Sequence, residues 1–145
     1  MPRLKVLACL LAWSIAVHSS GEGTRKEDTR KKEAAKPGPL AFTRKSIDRG
    51  KQFYLINCVE CHDQDGKGLG RRDFSGTPPS DLTDPGEWSH GTSAEAIFSS
   101  IREGTKNDMP PFKDKLQDEQ IWHVVNFVRS LWPEGKRPKL EAGSD

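Results

Sequence analysis

The chain has 145 residues, of which 33% are hydrophobic and 30% charged, and its formal net charge is +2. This length suits one domain with an N-terminal targeting segment better than several domains. There is no basic excess that would indicate nucleic-acid binding, and no apolar run after Val17 approaches the roughly 20 residues that a membrane-spanning helix needs.

The N-terminus predicts a secretory signal peptide over residues 1–20. Two basic side chains lie in the first five residues, and an apolar run, Val6–Val17, follows them. That run is too short to cross a bilayer core of about 30 Å as a helix, which disfavours an uncleaved anchor. A lipoprotein site at Cys9 would leave almost no apolar run before the cysteine. We therefore expect export to the bacterial periplasm, with cleavage between residues 17 and 21.

Removal of the leader changes the charge and the cysteine count. Two of the 23 basic residues lie in it, which leaves 21 basic against 21 acidic residues. Cys9 is lost as well, so that the mature chain keeps Cys58 and Cys61. In an oxidising compartment such a pair should become a disulfide, a metal site or the anchor of a covalent cofactor.

Residues 21–41 are predicted to form a disordered, charged linker. The segment carries six basic and four acidic side chains, ends in a Pro-Gly-Pro sequence and has almost nothing to bury. Its charge is compatible with contact to an anionic membrane surface, but a solvated tether is the favoured interpretation.

The following segment, residues 42–133, is predicted to be the folded domain and to contain three main helices. The first begins with Ser46 as its N-cap and ends near Asn57, with Ile47, Gly50 and Tyr54 on one face.

The second and third helices carry clear boundary signals. The second begins at residues 92–95, Thr-Ser-Ala-Glu, a capping box, and stops at Gly104. The third runs from about Asp118 to Leu131 with an apolar stripe, and Pro133 ends it. Residues 134–145 are expected to be a flexible tail.

A long connection, residues 63–92, separates the first two helices and contains nine Gly or Pro residues. Such a loop is unusual in a compact domain unless it wraps around something. Because three short helices supply little apolar core, the domain needs a further stabilising element. We expect a large non-protein group at its centre.

The sequence Cys58-Val59-Glu60-Cys61-His62 supplies the chemistry for that group. Two thiols about one helical turn apart can add to the vinyl groups of haem, and the next residue can ligate the iron. Zinc would need more ligands than His90 and His123 provide, and a thioredoxin-like pair would need alternating strands and helices. The motif therefore predicts one covalently attached haem c with His62 as a metal ligand.

The other axial position is assigned to Met109, the methionine that remains besides Met1. It lies in a proline-rich loop between two helices, a rigid place from which a thioether can be held against iron. His90 and His123 are the alternatives. Ligation by histidine and methionine raises the reduction potential and leaves no open coordination position, which predicts an electron carrier and not an enzyme.

These residues resemble the class I cytochromes c, the small soluble monohaem carriers, along residues 46–132. The resemblance implies an all-α cytochrome c fold, with three main helices and long loops wrapped around one covalent haem. Gly50 and Tyr54 stand where that family has a glycine and an aromatic residue packed against an aromatic residue of the last helix, here Phe127.

The resemblance also implies roles for two more segments. The segment 78–82 is similar to the family's proline and leucine beside the haem, so the carbonyl of Pro79 would accept a hydrogen bond from the His62 ring. Met109-Pro110 is similar to the family's axial methionine and the proline after it. The implied cofactor-binding residues are Cys58, Cys61, His62, Pro79, Leu82 and Met109, with His62 and Met109 as the iron ligands.

The predicted function is electron transfer between redox partner proteins, which serve as donor and acceptor. An alternative is that the chain is the haem-bearing electron-entry subunit of a larger periplasmic dehydrogenase or oxidase complex. A haem enzyme or gas sensor with an open sixth position is a further alternative.

Overall fold

The computed structural model describes residues 38–70, 77–106 and 109–142, all within one compact unit, residues 33–145. The described residues contain helices and irregular segments and no strand. The predicted signal peptide and most of the predicted linker lie outside them. The helices are α1, Arg44–Asn57, α2, Val59–His62, α3, Ala94–Glu103, and α4, Asp118–Ser130, with a short 3₁₀ turn at Pro85–Glu87.

The start of α1 differs from the prediction. Thr43 is the N-cap, and its side chain accepts a hydrogen bond of 3.2 Å from the backbone N–H of Ser46. Ser46 itself lies in the first turn, is buried and places its Oγ 2.8 Å from Nδ1 of His123. The prediction of Ser46 as N-cap is wrong because this hydroxyl is needed to satisfy a buried polar group of α4.

Helices α1 and α4 cross at Gly50. A Cβ placed on Gly50 would lie 1.9 Å from the backbone oxygen of His123, so only a glycine allows this approach. One turn later the rings of Tyr54 and Phe127 meet with centroids 4.9 Å apart. The predicted packing of the first helix against the last is therefore confirmed. An interior glycine costs a helix about 1 kcal/mol relative to alanine, which the close contact offsets.

The boundaries of α3 and α4 agree with the prediction to within about two residues. The N-cap of α3 is Ser93, whose Oγ accepts from the N–H of Ala96 at 3.1 Å, and Gly104 ends the helix at a φ of 76°. Gln117 caps α4, and its N–H donates to Oε1 of Gln120 at 2.8 Å. The N-cap residue of α4 is therefore a glutamine, where a Ser or Thr would be usual, and the amide oxygen of Gln120 satisfies its N–H.

The apolar stripe of α4 forms the centre of the core. Its residues Ile121 and Val125 are fully buried, and they pack with α3 and with the segments on both sides of α4. No helix in the described part of the chain combines the length and the apolar character that crossing a membrane requires.

The last described residues return to the start of the domain. The N–H of Glu141 donates to the carbonyl of Phe42 at 2.9 Å, and the N–H of Phe42 donates to Oε1 of Glu141 at 3.0 Å. These two bonds, one to a backbone carbonyl and one to a side chain, place Glu141 beside the buried Phe42. The flexible tail over residues 134–145 stays a prediction.

Candidate haem site

A cavity opens between α1, α3, α4 and the long loop. Its empty volume, counted with its open mouth, is about 650 Å³. The walls are mostly apolar and include Tyr54, Leu82, Trp88, Ile97, Ile101 and Val124. This lining is chemically suited to a large apolar group, as the long loop of the sequence predicts.

The cavity brings together residues that are far apart in the sequence. Cys58, His62, Leu82 and Met109 all line it. Two members of the implied set, Cys61 and Pro79, are not among its lining residues. Cys61 lies in α2, half-buried, and both thiols are unpaired.

Local backbone geometry aligns the motif that carries the two thiols. The N–H of His62 donates to the carbonyl of Cys58 at 2.9 Å, and the N–H of Cys61 donates to the same carbonyl at 3.2 Å. The motif is therefore one helical turn directly after α1. Because residues three and four apart share a helix face, Cys58, Cys61 and His62 lie on one side of this turn.

The end of the turn is held by a tyrosine whose role the sequence did not reveal. Tyr54 is fully buried, and its hydroxyl donates to the carbonyl of Asp63 at 2.6 Å. Burial, followed by the nearby Cys58 and Asp63, raises the pKa of the Tyr54 phenol well above its usual value. The phenol therefore stays a neutral donor at all ordinary pH values.

Burial also determines the protonation of the two groups at the cavity. It raises the pKa of the Cys58 thiol to about 12, with a smaller contribution from Cys61. It lowers the pKa of the His62 imidazole, against a smaller opposing effect of its hydrogen bond to Ser80. A neutral imidazole is the form that can ligate a metal.

The hydrogen-bond partner of His62 is Ser80 and not Pro79. Nδ1 of His62 lies 3.2 Å from the carbonyl oxygen of Ser80, and since a carbonyl can only accept, Nδ1 carries the proton. The prediction of Pro79 is wrong because its carbonyl packs against Gly68, where an added Cβ would approach that oxygen to 2.2 Å. The bond to Ser80 leaves the lone pair of Nε2 available to a metal.

The loop residues beside the cavity are positioned by the same turn. The N–H of Gly68 donates to the carbonyl of His62 at 3.0 Å, and the N–H of Leu82 donates to that of Gly66 at 2.6 Å. Leu82 is thereby placed at the cavity wall. Trp88, which the sequence analysis did not single out, donates its indole N–H to the carbonyl of Asp81 at 2.7 Å.

The two alternative histidines lie in different surroundings. His90 is exposed and lines the cavity with Met109. His123 is buried in the contact between α1 and α4, with Nδ1 2.8 Å from Oγ of Ser46, and it does not line the cavity. His90 therefore remains an alternative to Met109, whereas His123 is occupied elsewhere.

The donor set fits haem c. The cavity offers one oriented imidazole and one thioether, with two thiols one turn apart beside it. Among residues 38–70, 77–106 and 109–142, no group of three or more His, Cys, Asp or Glu side chains converges as a site for a bare metal ion would require.

Known proteins with similar sequences are cytochromes. The family model described as cytochrome c oxidase, cbb3-type, subunit III matches residues 45–128. The cbb3-type oxidase subunit CcoP of Rhodobacter capsulatus is 36% identical over 57% of this chain and 28% of its own length. Cytochrome c6 of the alga Gracilaria tenuistipitata is 33% identical over 57% of this chain and 69% of its own length. The chain thus spans less than a third of the oxidase subunit.

A solved structure with the same fold belongs to the reducing HAO-like protein complex of Kuenenia stuttgartiensis. It has a TM-score of 0.60 and 27% identity, and the match covers 68% of this chain and 49% of that one. The predicted all-α cytochrome c fold is confirmed. Because the family match covers more than half of the chain, the chain belongs to this family of class I c-type cytochrome domains, which carry covalently attached haem.

Proposed function

We propose that the domain transfers single electrons between redox partner proteins through one haem c, bound by Cys58 and Cys61 and ligated by His62 and Met109. The observation that carries this proposal is the cavity, whose lining includes Cys58, His62 and Met109 although Met109 lies far from the other two in the sequence. When bound, haem with imidazole and thioether ligands supplies a reversible one-electron couple of relatively high potential.

Each residue has a separate task. The S–H groups of Cys58 and Cys61 would add across the two vinyl double bonds of haem, giving thioether links that do not dissociate. The carbonyl of Ser80 holds the ring of His62 in the tautomer that presents Nε2, and it raises the basicity of that nitrogen. Met109 would supply a thioether ligand. Iron held by both His62 and Met109 would have no position left for a substrate, so we infer a carrier and not an enzyme.

The apolar walls support the same function. Charge on a buried group is unfavourable in a low-dielectric cavity, which favours the iron state of lower net charge. The lining residues Val124 and Val128 of α4 are buried and apolar. Together with the thioether ligand they favour the ferrous state, as a carrier of relatively high potential requires.

The proposal is tested by expression together with a haem-attachment system. We expect a mass increase of one haem and a low-spin oxidised spectrum with the methionine-to-iron charge-transfer band. Met109→Ala should abolish that band, and the matched variant His90→Ala should keep it. A low-spin wild-type spectrum without that band, whose low-spin character is lost in His90→Ala and kept in Met109→Ala, would transfer the ligand assignment to His90.

A second candidate is the haem-bearing electron-entry subunit of a larger dehydrogenase or oxidase complex in the periplasm. It is favoured by the match to CcoP, an oxidase subunit of which this chain covers only 28%. Gel filtration of a periplasmic extract, with detection of the haem, separates the two candidates. Elution as a small protein supports the free carrier, comigration with a large complex supports the subunit, and absence from the periplasmic fraction contradicts the proposed location.

A further inference from the structure

We propose that Gly104 is a positioning residue for the iron ligand Met109. It acts through the methionine loop, the described residues 109–113, by allowing the backbone at Met109 to lie directly against the end of α3. This inference rests on the proposed function, because it takes Met109 as the axial ligand.

Backbone hydrogen bonds hold the methionine loop at both of its ends. The N–H of Thr105, two residues after the end of α3, donates to the carbonyl of Met109 at 3.0 Å. After Met109, the N–H of Phe112 donates to the carbonyl of Ile101 at 3.0 Å. The last carbonyls of a helix have no partner within the helix, so the loop supplies one that the helix end needs.

Gly104 lies directly against the backbone of this loop. Its φ is +76°, and a Cβ added there would lie 2.6 Å from the carbonyl oxygen of Met109, 2.9 Å from the nitrogen of Pro111 and 3.1 Å from the carbonyl carbon of Pro110. These neighbours are backbone atoms, which cannot turn aside as a flexible side chain can. A side chain at position 104 would therefore displace the backbone that carries Met109.

The residues that follow Met109 leave little freedom to absorb such a displacement. Pro110 and Pro111 restrict φ at two successive residues. Phe112 is 8% exposed and packs in the main apolar cluster, which fixes the far end of the loop. The displacement is therefore passed to Met109, which is half-buried at the cavity wall.

The effect on ligation follows from the chemistry of the thioether. A thioether is only a weak hydrogen-bond acceptor, so a hydrogen bond orients it far less firmly than the carbonyl of Ser80 orients the ring of His62. Its distance and angle at the iron depend on where the backbone places the side chain. Gly104 thereby sets the strength of the bond between sulfur and iron.

The test compares holoprotein carrying Gly104→Ala with holoprotein carrying Gly135→Ala. Gly135 also has a positive φ, +89°, but nothing lies within 4 Å of an added Cβ. Both variants place an alanine at a positive φ, which L side chains rarely adopt, and only the first brings its Cβ against the methionine loop. We expect the charge-transfer band to weaken and the midpoint potential to fall in Gly104→Ala, with both unchanged in Gly135→Ala.

Imidazole added to the oxidised holoprotein gives a second readout, because it competes with Met109 for the iron. We expect Gly104→Ala to need a concentration about tenfold lower for half-saturation, a loss of about 1.4 kcal/mol in the competing bond. If Gly104→Ala yields no holoprotein, Gly104→Asn and Gly135→Asn replace the pair, since asparagine is found at positive φ more often than alanine and still adds a Cβ. Failure of both Gly104 variants to fold, with both Gly135 variants folding, would overturn a role limited to positioning.

The outcomes separate this inference from the proposed function. A wild-type spectrum without the charge-transfer band would overturn the assignment of Met109 and the inference with it. A normal wild-type band that Gly104→Ala retains, with a potential and an imidazole affinity equal to those of Gly135→Ala, would overturn only the role of Gly104.

Discussion

The two sides of the cavity hold their proposed iron ligands by different means. On the histidine side, His62 ends a helical turn that continues from α1, and its ring bonds to the carbonyl of Ser80 at 3.2 Å. On the methionine side, Met109 lies in an irregular loop that is tied to α3 through backbone bonds. His62 is thus oriented by the hydrogen bond of its ring and by the neighbouring cysteines that would be bound to haem, whereas Met109 is oriented by the path of the backbone. The methionine side should therefore be the easier one to perturb.

The largest expected effect comes from the covalent anchors of the histidine side. Cys58→Ala combined with Cys61→Ala removes both attachment points, so we expect complete loss of the haem mass increase and of the coloured periplasmic protein. Mass spectrometry measures the haem mass increase, and haem staining detects covalently bound haem in the periplasmic protein. Ile56→Ala is a matched control on the adjoining helix, since Ile56 is 79% exposed. A normal yield of covalent holoprotein from the double variant would contradict the proposed attachment.

A smaller effect is expected at the crossing that supports the histidine side. Gly50→Ala forces a Cβ against the backbone oxygen of His123, and overpacking of this kind costs about 1–3 kcal/mol. Thermal unfolding of the holoprotein should show a melting temperature lower by about 4–8 °C per kcal/mol. The charge-transfer band should persist, because Gly50 does not line the cavity.

The control for this prediction is Gly38→Ala, where nothing lies within 4 Å of an added Cβ. An unchanged melting temperature in Gly50→Ala would mean that α1 and α4 can separate without cost, and loss of the band would mean that their crossing also positions Met109.

A still smaller effect concerns pH and the buried His123 on the same crossing. Burial lowers the pKa of His123 below its ordinary value of 6.5, Arg49 lowers it further, and Glu119 opposes them. The unfolded chain then binds the proton more readily than the folded protein does. This contribution to stability is fully present above pH 6.5 and is lost as the pH falls through the lowered folded pKa.

We therefore expect the free energy of unfolding of the holoprotein to decrease as the pH falls below 6.5, and to decrease less in His123→Gln. Chemical denaturation at a series of pH values measures the difference. Equal pH dependence in the two proteins would show that His123 is not responsible.

The smallest expected effect is on the methionine side. Nζ of Lys113 lies 2.9 Å from Oε2 of Glu103, and both side chains are more than 40% exposed. Exposed ion pairs contribute little to the free energy of unfolding. Lys113→Gln should leave both the melting temperature and the charge-transfer band unchanged, which sharpens the view that backbone contacts and not surface charges hold this loop. A weakened band in this variant would contradict that view.

Several features of the site were predictable because they are local in the chain. The spacing of Cys58, Cys61 and His62 places them on one helical turn whatever surrounds them, and the capping and breaking residues marked α3 and α4 to within about two positions. The contact of Tyr54 with Phe127 followed from family resemblance, and the ring separation of 4.9 Å confirms it.

Other features depended on contacts between distant segments. A serine and a threonine are both good N-caps, so the choice of Thr43 over Ser46 depended on the buried His123 that Ser46 must satisfy. Adjacent carbonyls differ only in direction, so the choice of Ser80 over Pro79 depended on how closely the chain passes Gly68. The return of Glu141 to Phe42 had no signal in the composition of residues 134–142.

The sequence by itself determined the cofactor chemistry and the helices, because both depend on residue types at short spacing. The tertiary structure decided which carbonyl orients His62 and how close the backbone of Met109 comes to Gly104. It also decided that, of the two alternative histidines, His90 lines the cavity and His123 does not. These are distances between segments that the chain separates, and they are set by packing, for which no local pattern exists.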